Sequence, residues 1–461
     1  MDVNGEGDGG GAVGGGLLPM HLVPMLRIVL LDYHGMRRCK LIPLHNSQRN
    51  CLIVKGAILL TSRCSIPDGT PLSAQGEVYM LPFSPYEKLP SSKLAALPTS
   101  RVVRFPTHPN HSFTIAHLHD QHGRPWQHCP RQLLCAAIQQ LRAHNLSMQA
   151  GFEMEFVLLR GDPSEPHTLK PFGSATGYAL LSLIDQAAPI LDHMVSALQQ
   201  ANIKVTMMHA EGAPGHFEIV LHHNQVLAAV DDLVLAREIV RSVALQHHSY
   251  ATFIPKYGNA AGSGSHVHFS LDAHFGLSNK LYDHHVGMSS TAQQFVAGVL
   301  EALPWLTFLT NASVASYARL QPQCWVGVYK VWGISNKEAP LRLSLDRSNI
   351  ELKTLDALSN VYIAMTGVIA AGLNGIRACL QLPPPCQTDP HLLAEGERAE
   401  RLPTSLAESL ERFRDVAASG ALAELFAPDV VRDILAAKSD EIREVDRIGM
   451  DAFVQQIVAL H

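Results

Sequence analysis

The sequence predicts an α+β fold in two domains, and three observations predict it. Short strand-like segments carry carboxylates on alternate positions, and segments of helical period fall between them. The third is size: 461 residues, 47% of them apolar and 17% charged, suffice for more than one buried core.

Taken in order, the first 16 residues, MDVNGEGDGGGAVGGG, are half glycine and cannot bury enough surface to order themselves. They carry acids where a secretory leader carries bases, so residues 1–20 are expected to be a flexible tail. From Leu26, LRIVLLD and MRRCKLIP flank a turn at Gly35 and read as a hairpin. Further strand text, EVYMLPF, RVVRFP and FTIAHLH, runs to about residue 122. Near Pro125 the character changes. CPRQLLCAAIQQLRAHN places Leu134, Ile138 and Leu141 on one helical face, and Leu183, Ala187, Ile190, Leu191, Met194 and Leu198 repeat that period. So do Leu227, Val230 and Val234. The stretch from Leu406 to about Val458 is helical and charged, a packing and solvent face. The expected division is therefore 1–20 tail, 21–122 small domain and 123–461 large domain.

Side chains along a strand alternate faces, so i and i+2 point the same way. In GFEMEF that puts Glu153 and Glu155 on one face and Phe152, Met154 and Phe156 on the other. Glu211 and Glu218 flank a Gly-Ala-Pro-Gly turn, His266 and His268 alternate in GSGSHVH, and Glu351 and Lys353 alternate in NIELK. Singly, each piece has an ordinary explanation as a strand edge, a hairpin surface, a core histidine or an ion pair of small worth. Together the four segments repeat one design, polar residues one way and apolar residues the other, which makes a lined cavity the better reading. Burying such carboxylates unpaired costs roughly several kcal/mol each, so something positive must lie among them. Five carboxylates and an imidazole form a hard, oxygen-rich donor set that suits Mg²⁺ or Mn²⁺. No Cys-x-x-Cys or HExxH accompanies it. Five negative charges exceed what one divalent ion balances, so two or more ions are expected.

Downstream, Arg319, Lys330, Lys337, Arg342, Arg347 and Lys353 supply cations. Carboxylate-held metals on one side and basic groups on the other are the usual means of stabilising phosphoryl transfer, so ATP chemistry is expected. No GxxxxGK[ST] and no GxGxxG after a strand is present, and the nucleotide needs another scaffold.

GFEMEF, HAEGAPGHFEIVL, ATFIPKYGNAAGSGSHVHFSL, the run from SYARL to NKEAPLR, and NIELKTLDALSNVY stand in the order and spacing of the glutamine synthetase family. CWVGVYKVWG followed by NKEAPLR resembles its nodulin-like and fungal-conidiation-type branch. The resemblance runs from about Leu26 onward and is strongest from Gly151 to Gly375. It implies a small N-terminal β-grasp domain, then a catalytic domain whose curved antiparallel sheet forms a half-barrel flanked by helices. It assigns Glu155, Glu211 and Glu218 to one metal ion, and Glu153, His266 and Glu351 to a second. Arg319, Lys337, Arg342 and Lys353 take catalytic positions; Lys337, Arg342 and His268 fall on the nucleotide side, and Gly262, His266, Arg319, Trp325 and Lys353 on the substrate side. The implied reaction uses ATP to turn the glutamate side-chain carboxylate into an acyl phosphate that ammonia displaces, in a cytoplasmic homo-oligomeric ring with sites between subunits.

Four positions depart from the family pattern, and one of them, Lys353 in place of an arginine, is shared with the nodulin-like branch. Lys337 stands where the branch has arginine, and lysine cannot reproduce bidentate phosphate contacts, so a loss of rate is expected. Trp325 replaces a flap glutamate that helps deprotonate ammonium, which makes an organic amine a plausible nucleophile. Ala261 replaces a substrate-binding asparagine. Two alternatives follow: a γ-glutamyl ligase for a larger amine, and a structural or regulatory member that kept the metal site but lost turnover.

A net charge of −5 and a pI near 6.6 give no basic footprint for nucleic acid, and no apolar run is long enough for a membrane span. Eight cysteines without regular spacing read as reduced thiols. Of 25 histidines, those other than His266 and His268 read as surface or core.

Overall fold

The computed structural model describes residues 23–43, 52–55, 77–81, 101–119, 124–162, 165–258, 262–273, 282–283, 287–458 and 460–461. The glycine-rich tail and Ala261 lie outside the described residues. The fold is mixed α/β. The expected hairpin forms from Met25–Leu31 and Arg37–Pro43, with Gly35 at φ +74° in its turn. A Cβ at Gly35 would lie 2.7 Å from the Leu358 carbonyl oxygen, so glycine is required there both by conformation and by contact. His111–Ile115 joins the hairpin in parallel, giving one four-stranded sheet with Val103–Arg104.

The main sheet has ten strands and is built on one long strand, Leu146–Arg160. The order across it is Val205–Ala210, His216–Leu221, Leu146–Arg160, Val267–Ala273, Ile350–Leu352, Leu341–Leu343 and Trp332–Ile334. All neighbours on that path are antiparallel except the last pair. Phe152, Met154 and Phe156 are buried on one face, as the alternation requires.

The helices follow the predicted periods. Pro130–Ala143 buries Leu134 and Leu141, Leu181–Gln200 buries Leu183, Ala187, Leu191 and Met194, and Val226–Gln246 buries Leu227, Val230 and Val234. One contiguous apolar core runs from Leu26 to Ala437, so the hairpin and the C-terminal helices share it. Asn360 fastens that junction. Its Oδ1 accepts the Tyr362 and Ile363 N–H groups at the start of helix Val361–Arg377, while its Nδ2 donates to the Asp32 carbonyl at 2.8 Å.

Helix Val361–Arg377 packs against Ser290–Thr310 at a backbone-to-backbone contact. A Cβ built on Gly298 would lie 2.2 Å from the Ala371 carbonyl oxygen, and one on Gly375 would lie 2.1 Å from that of Gln294. Backbone cannot yield as a side-chain tip can. Gly298→Ala is therefore expected to cost about 2–3 kcal/mol of stability by overpacking, read as a lowered urea midpoint. A change below about 0.5 kcal/mol would mean that the helices can part.

Candidate active site

Cross-strand register assembles the site. Glu155 on the long strand lies opposite Glu218, and Glu218 lies opposite His209. On the other flank, His268 lies opposite Gly151 and Glu351, and Glu351 lies opposite Arg342. Residues 153 to 351 thus meet on one face of one sheet.

His266 stands at the centre. Its Nδ1 is 2.9 Å from Glu153 Oε2, 3.3 Å from Glu351 Oε1 and 3.9 Å from Glu155 Oε1. His268 Nε2 holds the other Glu153 oxygen at 2.9 Å. Beside them, His216 Nε2 is 3.1 Å from Glu155, and His209 Nε2 is 2.9 Å from Glu211. Among the described residues, two groups bring one donor atom from each member within 4.8 Å of the others: Glu153 with His268 and Glu351, and His209 with Glu211 and Glu218. The peptide at Gly264 closes the floor. A Cβ there would lie 2.5 Å from His266 Nε2 and 2.9 Å from Glu155 Oε1, so any side chain would displace the donors.

The electrostatics are uneven. Burial, then the charges of Glu153, Glu155, Glu211 and Glu351, push the Glu218 carboxyl up to about 10. Burial also opposes ionisation of Glu155, but the close approach of the His216 ring and the His266 charge outweigh it and bring that carboxyl down to about 2. Glu153 is likewise desolvated, yet hydrogen bonds from His266 and His268 hold it below the usual range. Glu351 is desolvated and held well below that range chiefly by Lys353 and His266. Desolvation and Lys353 disfavour the His266 cation, but its carboxylate partners raise its pKa above the ordinary histidine value.

These observations test whether a divalent cation suits the residues. Glu218, buried and facing four other carboxylates, keeps its proton when no cation is present. His209 Nδ1 and His216 Nδ1 are buried without a hydrogen-bond partner among the described residues. An acidic, oxygen-rich group with an unrelieved carboxyl and an unused imidazole nitrogen fits hard cations such as Mg²⁺ and Mn²⁺.

The cations do not face the carboxylates across a cavity as the sequence suggested. Arg342 Nε and Lys353 Nζ both bond Glu351, the lysine at 3.2 Å. Lys330 turns away to Glu301, at 2.8 Å, and Arg347 sits in an exposed turn. Arg319 is buried, and its Nη2 donates to the carbonyls of Lys353, Thr354 and Leu355 at 2.8–3.1 Å. It packs on Gly262, where a Cβ would lie 2.7 Å from Arg319 Cβ.

Trp325 is 51% exposed and holds φ +57°, a left-handed conformation that a bulky residue seldom adopts. Glu338 sustains it by accepting the Trp325 N–H at 3.0 Å. The indole stands at 85° to Tyr178, ring centres 6.4 Å apart, and Tyr178 packs edge-on against His209 at 5.1 Å. Lys337 Nζ lies 4.7 Å from the Trp325 ring centre and 5.5 Å from that of Tyr178. Two aromatic rings therefore adjoin the His209, Glu211 and Glu218 group.

A model of the glutamine synthetase catalytic domain matches residues 127–452. The chain belongs to the glutamine synthetase family. It is 34% identical over 351 residues to a gamma-glutamylpolyamine synthetase, GlnA3, of Streptomyces coelicolor, covering 72% of this chain and 73% of that one. It is 30% identical to the protein fluG of Emericella nidulans over 72% of this chain, a match that spans 38% of the fungal protein. A solved glutamine synthase homolog superposes with a TM-score of 0.78 at 27% identity, covering 96% of this chain and all of that one.

This glutamine synthetase family member is accordingly an ATP-dependent ligase that forms carbon–nitrogen bonds, acting on small molecules. Among the described residues no helix is long and apolar enough to cross a membrane. Four residues beside the site escaped the sequence reading. His209 and His216 were assigned to surface or core, yet each stands two positions before a site glutamate, the same spacing that singled out Glu153 and Glu155. Tyr178 and Glu338 carry no local signal; only the fold brings them to Trp325.

Proposed function

We propose that this chain is a glutamate–amine ligase: ATP phosphorylates the glutamate side-chain carboxylate, and an organic amine displaces the phosphate. Glu155, Glu211 and Glu218 would hold one divalent ion, with His209 beside them, and Glu153, His266 and Glu351 a second, with His268 beside them. Bound there, Mg²⁺ or Mn²⁺ supplies positive charge against the phosphates and the acceptor carboxylate. His216 helps keep Glu155 ionised, and Glu218 would have to be deprotonated to serve as a ligand. Arg319, braced by three carbonyls and by Gly262, is assigned to the glutamate backbone carboxylate, Lys353 to the substrate side, and Arg342 and Lys337 to the nucleotide side.

One observation favours an organic amine over ammonia: the exposed Tyr178–Trp325 pair beside the Glu211 and Glu218 carboxylates offers apolar and cation–π contact that ammonia uses poorly. The GlnA3 relative, named for polyamine ligation, supports it. We further assign residues 21–122 to a β-grasp domain, residues 123–461 to a half-barrel catalytic domain, and the active assembly to a cytoplasmic homo-oligomeric ring.

The test is phosphate release with ATP, Mg²⁺ or Mn²⁺ and glutamate, screened over ammonia and aliphatic amines. Organic amines are expected to exceed ammonia in kcat/KM by about tenfold or more. Trp325→Ala is expected to lower the organic-amine kcat/KM about tenfold with KM for ATP unchanged. Ammonia used by the wild type as well as any organic amine, or an organic-amine kcat/KM left unchanged in Trp325→Ala, would exclude the organic-amine reading.

A further inference from the structure

Lys337 holds an unusual position for a lysine beside an acidic site. Its Nζ contacts the faces of Trp325 and Tyr178, and among the described residues no carboxylate or carbonyl pairs with it. Carboxylates are nearby: Glu211 adjoins the Tyr178 corner through His209. A cation over two rings at an exposed position gains a modest stabilisation, enough to hold it there part of the time and easily overcome. The corner itself is fixed. Glu338, the residue after Lys337, clamps the Trp325 N–H, and Asn336, the residue before it, is tied by Nδ2 to the Cys386 and Thr388 carbonyls at 2.9 Å each. Asn336 Oδ1 in turn accepts the Glu338 N–H at 3.0 Å. One anchored tripeptide thus shapes the aromatic corner and fills it.

We propose that Lys337 is a built-in competitor for the amine, its ammonium occupying the corner between Tyr178 and Trp325 that an organic ammonium enters. This rests on the amine-ligase reading and adds to it. The corner recognises an alkylammonium group by two ring faces, and the substrate must displace the protein's own ammonium first. The apparent affinity of the free enzyme is reduced by the fraction of time Lys337 is seated. Amines with a second cationic group, which gain from the neighbouring carboxylates as well, displace it best.

Titration calorimetry of the full chain with 1,4-diaminobutane, without nucleotide, reads this independently of turnover. Lys337→Gln vacates the corner and is expected to tighten binding about fivefold, whereas Lys337→Arg, which keeps a cation over the rings, is expected to stay near the wild-type value. Removing a positive charge could tighten binding by long-range electrostatics alone, so the change is repeated on Trp325→Ala. There the fivefold gain is expected to vanish, because the contested corner is gone. A gain that survives Trp325→Ala, or Lys337→Gln binding no tighter than wild type, overturns the proposal. Failure of ligation with a positive cycle would instead overturn only the catalytic reading.

Discussion

Glu218→Gln is expected to stabilise the protein, in the absence of divalent ions, by about 3–4 kcal/mol at pH 7.5. The reason is proton linkage. Folding raises the Glu218 carboxyl to about 10, so the folded chain keeps a proton that the unfolded chain loses above its ordinary glutamate pKa. Stability from this group is complete below about pH 4.5 and falls as pH rises toward 10, by about 1.4 kcal/mol per unit. Glutamine copies the protonated carboxyl in shape and charge and removes the pH dependence. His266 and His268 also have raised values, through their carboxylate partners against desolvation, and their contribution fades as pH rises through the folded-state pKa. For that reason the informative quantity is the difference between wild type and Glu218→Gln, measured by urea unfolding from pH 5 to 9. Added Mg²⁺ or Mn²⁺ should invert the ranking: it stabilises the wild type by mass action, expels the Glu218 proton, and finds one ligand fewer in the variant. A difference that does not change with pH would show that folding leaves the Glu218 carboxyl unshifted, and equal metal stabilisation of both proteins would show that Glu218 lies outside any cation site.

Much of this site was legible because strand alternation is local. Glu153 and Glu155 declare a common face within six residues, and Glu351 and Lys353 do so within three. Which strands would lie side by side is set by register and connection, and no local pattern contains it. The family likeness supplied that ordering. The helices at Pro130–Ala143 and Val226–Gln246 were legible from their apolar period for the same local reason. The orientation of the cations was not. Arg342 read as a nucleotide-side charge and Lys353 as a substrate-side one, but with Glu351 directly across the ladder from Arg342 and two residues from Lys353, both close on that carboxylate. Tyr178 was invisible because it lies in a loop whose neighbours, His209 and Trp325, are 31 and 147 residues away.

Glu351→Ala is expected to remove ligase activity by about 10³-fold or more and to cost about 3 kcal/mol of stability. Two effects compete in the second figure. Removing a carboxylate relieves its repulsion of Glu153 and Glu218, which favours the variant, but it strips Lys353, only 5% exposed, of its ion-pair partner. Glu351 itself decides the balance. Although burial opposes its charge, Lys353 and His266 hold its carboxyl well below the ordinary range, so the surroundings favour the ionised form and its loss must destabilise. Two further variants separate structure from catalysis. Glu351→Gln keeps the shape and an acceptor for Lys353, and should recover part of the stability with none of the activity. Glu351→Ala combined with Lys353→Met removes both charges and should regain most of the lost stability, since a buried ion pair exchanged for apolar volume is often neutral while half of one is costly. Were Glu351→Ala as stable as wild type and still active, Glu351 would be neither a structural counter-charge nor a metal ligand, and the convergence of strands on this carboxylate would need another purpose.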